Sequence, residues 1–66
     1  MADYYVNNKA QTNGDHEVHD SGCRYMPSDR KYLGSFSTCR PAVDEAKKTY
    51  RQSNGCATCS PSCHTS

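Results

Sequence analysis

Three cysteines and a histidine crowd the last thirteen residues, "NGCATCSPSCHTS", of a chain of only 66. That sulfur is the strongest constraint on the fold, because the rest of the sequence offers so little core. Val6, Val18, Leu33, Phe36 and Val43 are the only Leu, Ile, Val or Phe residues, so five tyrosines must supply much of the remaining apolar surface. Small domains with so thin an interior need a covalent or metal staple. Five cysteines can provide one, but the odd count means that a closed disulfide framework would leave one thiol over.

The start of the chain, "MADYYVNNKAQ", has no apolar run of the kind that leads a chain to secretion, and no stretch reaches membrane length. A cytoplasmic chain is expected, and clustered Cys and His in that compartment point to metal rather than disulfides. The alternative is a metal-free domain with a disulfide or reactive thiols, in a redox or interaction role.

Residues 3–8, "DYYVNN", are β-prone, and Asn13-Gly14 is a strong turn dipeptide. "HEVH" then places Glu17 and His19 on one strand face and His16 and Val18 on the other. These segments predict a β-hairpin, with His16 on the surface and Asp15 and Glu17 as solvated charges. "KYLGSF", residues 31–36, is a third strand candidate. Small and apolar residues at Cys39, Ala42, Val43, Ala46 and Tyr50 have helical spacing, predicting a helix from about Cys39 to Arg51. Ser37 or Thr38 would cap it, an Asp44–Lys48 pair would support it, and Asn54-Gly55 would end it. The expected fold class is α+β: a small zinc-stapled domain, a β-hairpin or three-stranded antiparallel sheet with one helix, over residues 1–60. Residues 61–66 read as a C-terminal tail.

Two ligand pairs stand out, His19-x3-Cys23 and Cys56-x2-Cys59. Zinc takes four N or S ligands in a tetrahedron, and short spacings let one loop supply two of them without strain. Zn2+ held by His19, Cys23, Cys56 and Cys59 is the expected site. Cys39 is excluded from it, because about 13 helical residues would hold it roughly 20 Å from Cys56. Its expected role is a buried small residue on the core face, with a thiol activated by the helix N-terminus as the sharper alternative. Cys63 and His64 are close enough along the chain to be alternative metal ligands. If they are not, the tail should be dispensable and the Cys63 thiol exposed.

The order "YVNNKA", turn, "VHDSGC", "YLGSF", helix, "NGCATC" resembles the Ada-type metal-binding domain. It is also similar to the small cysteine-rich module appended to some bacterial nuclease-like proteins. The likeness covers about residues 4–59 and lies in spacings more than identities. It implies zinc on the same four residues. In that family the domain binds DNA and accepts a methyl group from a damaged phosphate onto its first zinc ligand, a cysteine. Here the first ligand is His19, and an imidazole cannot replace a thiolate nucleophile, so that chemistry is not expected.

Enzymatic function is not expected either. A catalytic zinc keeps an open position beside three protein ligands, and this chain offers four. The adjacent Cys63 and His64 lack the rigid support a nucleophile pair needs. A binding module for nucleic acid or protein is the expected role, as a monomer with no membrane partner. Arg24, Arg30, Lys31 and Arg40 are the candidate nucleic-acid contacts, gathered near the Cys23 loop and the helix start, with Tyr25 and Tyr32 as stacking partners. A net charge of only +1 argues against a strongly electrostatic binder.

Overall fold

A computed structural model describes residues 1–64, so the last two residues of the expected tail lie outside the described residues. β1 (Ala2–Asn7) and β2 (His16–Asp20) form the expected hairpin, with Tyr5 opposite His19 and Val6 opposite Val18. The Asn13-Gly14 turn closes it: Gly14 N donates to Gln11 O at 2.8 Å and Asp15 N to Asn13 Oδ1 at 3.0 Å. β3 (Arg30–Phe36) pairs antiparallel with the other edge of β1. The register shifts between Tyr4, which faces Gly34, and Tyr5, which faces Tyr32. Leu33 is the extra residue, and its side chain is buried in the core. Gly34 absorbs the irregularity with φ 127, a conformation that residues with a Cβ rarely adopt.

The α+β class holds, and the sheet has a fourth strand. β4 (Ser53–Gly55) lies parallel to β2, giving the order β3-β1-β2-β4. Its residues, Ser-Asn-Gly, are all buried. None is apolar, so hydrophobic alternation could not reveal the strand. The Asn54-Gly55 pair expected to end a helix instead sits inside the sheet.

The helix, α1, covers Cys39–Ala46 and stops five residues before the expected Arg51. Past Ala46 the bonds tighten, Lys48 N donating to Glu45 O at 3.2 Å and Thr49 N to Ala46 O at 3.0 Å. Tyr50 is held at the sheet, its ring stacked on His16 at 3.9 Å and its hydroxyl donating to Asn8 Oδ1 at 2.7 Å. The chain must then straighten to reach β2 as β4. Thr38 occupies the N-cap position without a side-chain hydrogen bond, and Lys48 pairs with Glu45 at 3.1 Å rather than with Asp44.

The core lies between α1 and one face of the sheet. Tyr4, Val6, Val18 and Leu33 meet Cys39, Ala42, Val43 and Ala46, with Cys63 completing the cluster. Ala42 and Ala46 are fully buried, and their small side chains let the helix approach closely enough for few apolar residues to fill the space.

Two polar residues are more buried than expected. His16 is half-buried under Tyr50, with Nδ1 2.9 Å from Asn7 O. Asp15 is buried rather than solvated, accepting from Gln52 Nε2 at 2.8 Å and from Asn54 Nδ2 at 3.4 Å. It ties the hairpin turn to the segment entering β4.

Candidate metal centre

Pairing of β4 with β2 assembles the site. The ladder ends with Gly55 opposite Val18, so the next residue, Cys56, falls beside His19, and Cys56 N donates to Val18 O at 3.0 Å. Beyond β2 a tight turn brings Cys23 back: Cys23 N donates to Asp20 O at 3.1 Å and Gly22 N to Asp20 Oδ1 at 3.0 Å. A second turn, closed by Ser60 N to Cys56 O at 2.8 Å, returns Cys59.

One ligand atom from each of His19, Cys23, Cys56 and Cys59 lies within 4.8 Å of all the others, a group that could hold a metal ion. His19 Nδ1 is 3.4 Å from Cys23 Sγ and 3.9 Å from Cys59 Sγ, and the Cys23 and Cys56 sulfurs are 3.9 Å apart. A tetrahedron with metal bonds of about 2.3 Å to S and about 2.0 Å to N has edges of roughly 3.5 to 3.8 Å. The tetrad therefore already has the size of a coordination shell. His19, Cys23 and Cys56 are buried and Cys59 is half-buried.

Burial lowers the pKa of His19, with Glu17 and Asp20 opposing, which favours the neutral, ligating imidazole. Burial also pushes the Cys59 thiol up to about 12, helped by its hydrogen bond with Cys23 and the charge of Cys56. The Asp20 backbone and the Ser60 hydroxyl pull it the other way by hydrogen bonding to the sulfur. A cation among the sulfurs is what would favour the thiolate in so dry a place.

Glu17 is the residue that sequence reasoning undervalued. Its Oε1 stands 3.6 Å from His19 Nε2, on the side of the ring away from the sulfurs. A carboxylate behind a ligating imidazole orients the ring and raises its basicity. The signal was present, since alternation already put Glu17 and His19 on one face of β2.

Cys39 and Cys63 form a disulfide across a separation of 24 residues. Cys39 is buried in the core as expected, but it is not a free thiol, and Cys63 is neither exposed nor a metal ligand. The residues around it, Pro61–Cys63, form a short 3-10 turn, η1. A Cβ on Gly55 would lie 2.6 Å from the Cys63 Cβ, so only glycine in β4 lets η1 sit so close. His64 sits 3.0 Å from Gly55 O through Nδ1 and is not in the tetrad. The odd cysteine count is resolved as three in the tetrad and two in the disulfide.

The four candidate nucleic-acid contacts do not form one patch. Arg30 lies over the Tyr5 ring at 5.1 Å, on the sheet face opposite α1. Arg24 lies over Tyr25 at 5.7 Å in the loop after β2. Lys31 pairs with Val6, so it points to the helix side of the sheet, and Arg40 belongs to α1. Among the described residues, no helix is long and apolar enough to cross a membrane. No family model, curated protein or solved structure matches the chain.

Proposed function

We propose that His19, Cys23, Cys56 and Cys59 hold one structural zinc ion, and that the chain is a small zinc-stapled binding module. The observation that carries this reading is the size of the tetrad: four ligand atoms from two sequence-distant segments lie within 4.8 Å of one another. Three thiolates and an imidazole suit zinc by softness and geometry, and four protein ligands fill the shell, as in structural rather than catalytic sites. The reading keeps the zinc ligands that the Ada-type resemblance implies and omits methyl transfer, because an imidazole stands first.

Native and denaturing mass spectrometry of the chain tests it. One zinc per chain is expected under native conditions, lost on denaturation, with Cys39 and Cys63 still linked. A native mass without metal after zinc loading, or full loading of Cys56→Ser, would overturn it.

A surface on the other face of the sheet supports single-stranded nucleic acid as the module's partner. Tyr32 is 54% exposed, its ring 5.3 Å from that of Tyr5, and Arg30 covers Tyr5. Bases stack on such rings while guanidinium groups meet phosphates. Binding of a short oligothymidylate, followed by tyrosine fluorescence at low salt, should weaken in Tyr32→Ala and Arg30→Ala. No binding, or binding indifferent to both substitutions, would remove this partner.

A further inference from the structure

The Cys39–Cys63 disulfide borders a cavity between α1 and β4, walled by Arg40, Val43, Lys47, Ser53, Asn54 and Cys63. Arg40, Val43 and Lys47 recur at helical spacing, so α1 and the residue capping its end present two cations to the same hollow. Neither cation takes part in the ion pairs found among the described residues, His19–Glu17 and Lys48–Glu45. Of the helix carboxylates, Glu45 is paired with Lys48 and neither it nor Asp44 is part of the wall, while Asp15 accepts from Gln52 and Asn54. A positively charged recess therefore opens beside a disulfide.

The two halves of that disulfide are placed differently. Cys63 is on the cavity wall, whereas Cys39 is the first residue of α1 and does not line it. Both cysteines are buried, each 8% exposed, so an incoming nucleophile reaches the bond only through the cavity, where it meets Cys63 and expels Cys39. A thiolate leaving at a helix start is stabilised by the local backbone N–H groups, and a lower thiol pKa makes a better leaving group.

We propose that Cys39–Cys63, with Arg40 and Lys47, is a thiol–disulfide exchange site for small anionic thiols, those bearing a carboxylate or sulfonate. The ligand's thiol gives its proton to water and the thiolate attacks Cys63 Sγ. A ligand–Cys63 disulfide forms as the Cys63–Cys39 bond breaks, and the electron pair leaves on Cys39 Sγ. One disulfide replaces another, so no external oxidant is consumed. Return attack by Cys39 on Cys63 expels the ligand as its thiolate. Arg40 and Lys47 hold the ligand's anionic group and touch neither sulfur bond. The site shares no residue with the metal tetrad.

The test compares 2-mercaptoethanesulfonate with cysteamine, at equal thiolate concentration and low ionic strength, on the full oxidised chain. Acid quenching and fragmentation mass spectrometry locate the adduct. The sulfonate should react about tenfold faster than the ammonium thiol, the scale of electrostatic steering in a charged cleft. The adduct should sit on Cys63, and the preference should shrink in high salt. Arg40→Glu with Lys47→Glu should reverse the preference. Lys9→Glu with Lys31→Glu, which changes net charge equally far from the cavity, should leave it intact. Equal rates for the two thiols, a preference that follows net charge alone, or an adduct on Cys39 would overturn the proposal. If a charge-reversed variant fails to fold, the salt dependence of the unaltered chain decides instead, and a preference unmoved by salt would count against the two cations.

Discussion

Two side chains show how much a single neighbouring group decides. Glu17 Oε1, 3.6 Å from His19 Nε2, leaves the Nδ1 side of the ring to the sulfurs. Glu17→Ala should weaken zinc binding about 10- to 100-fold in competition with a colorimetric chelator, with the stoichiometry unchanged. An affinity equal to that of the parent would mean that packing alone sets the ring. Asp3 illustrates the same principle with a proton. Hydrogen bonds from Ser35 and then Tyr32 hold its carboxyl below the ordinary 3.8. A folded-state value below the unfolded one adds stability that is fully present above pH 3.8 and is lost as pH falls through the lower folded value. Carbon-13 titration should place the Asp3 midpoint under 3.8, and Ser35→Ala should raise it. A parent midpoint at the ordinary value would contradict the hydrogen-bond account.

At the scale of elements, β4 and η1 act as one clamp. β4 sets Cys56 beside His19, and η1 lies so close to β4 that a methyl on Gly55 would meet the Cys63 Cβ at 2.6 Å and the Ser60 backbone oxygen at 2.9 Å. Gly55→Ala should therefore cost about 1 to 3 kcal/mol in denaturant unfolding and should lower metal affinity as well. A neutral result would show that η1 can move away freely. The disulfide carries the other half of the clamp, joining the start of α1 to η1. From sequence alone, Cys39→Ser incurs only a core penalty. Opening a bridge between residues 24 apart should instead destabilise the chain by about 3 kcal/mol. Unfolding midpoints of Cys39→Ser and Cys63→Ser measure it, and both should fall together because either removes the same bond. Truncation of residues 61–66, harmless on the sequence reading, should match them.

Across the whole molecule a metal staple and a disulfide would together reinforce a thin core. With zinc bound, the tetrad would tie the end of the hairpin to the end of β4, and the disulfide ties the helix to the chain beyond it. Burial of Val6, Val18, Leu33 and a few alanines cannot by itself offset the entropy of ordering so many residues. A strong chelator alone should loosen the β2–β4 end while α1 stays docked. Chelator with reductant should collapse the amide dispersion throughout. Amide spectra under the two conditions check this, and full dispersion after both treatments would mean that the core needs neither staple.

The hairpin, the third strand, the helix start at Cys39 and the four residues of the tetrad were all legible in sequence. Each is written in a local code: alternation, an Asn-Gly turn, helical spacing, or two ligands a few residues apart. What only the tertiary structure decided was the parallel strand β4, the early end of α1, the burial of Asp15 and the bond from Cys39 to Cys63. These depend on partners 24 to 42 residues away, among them Cys63 for Cys39, Gln52 and Asn54 for Asp15, Ser53 for His16 and Asn8 for Tyr50. Ser-Asn-Gly has no periodicity to betray a strand, and a cysteine near the chain end looks the same whether it is frayed or bonded. The chemistry of the ligands could be read along the chain, but which sulfurs meet was settled by where the helix delivers the chain back to the sheet.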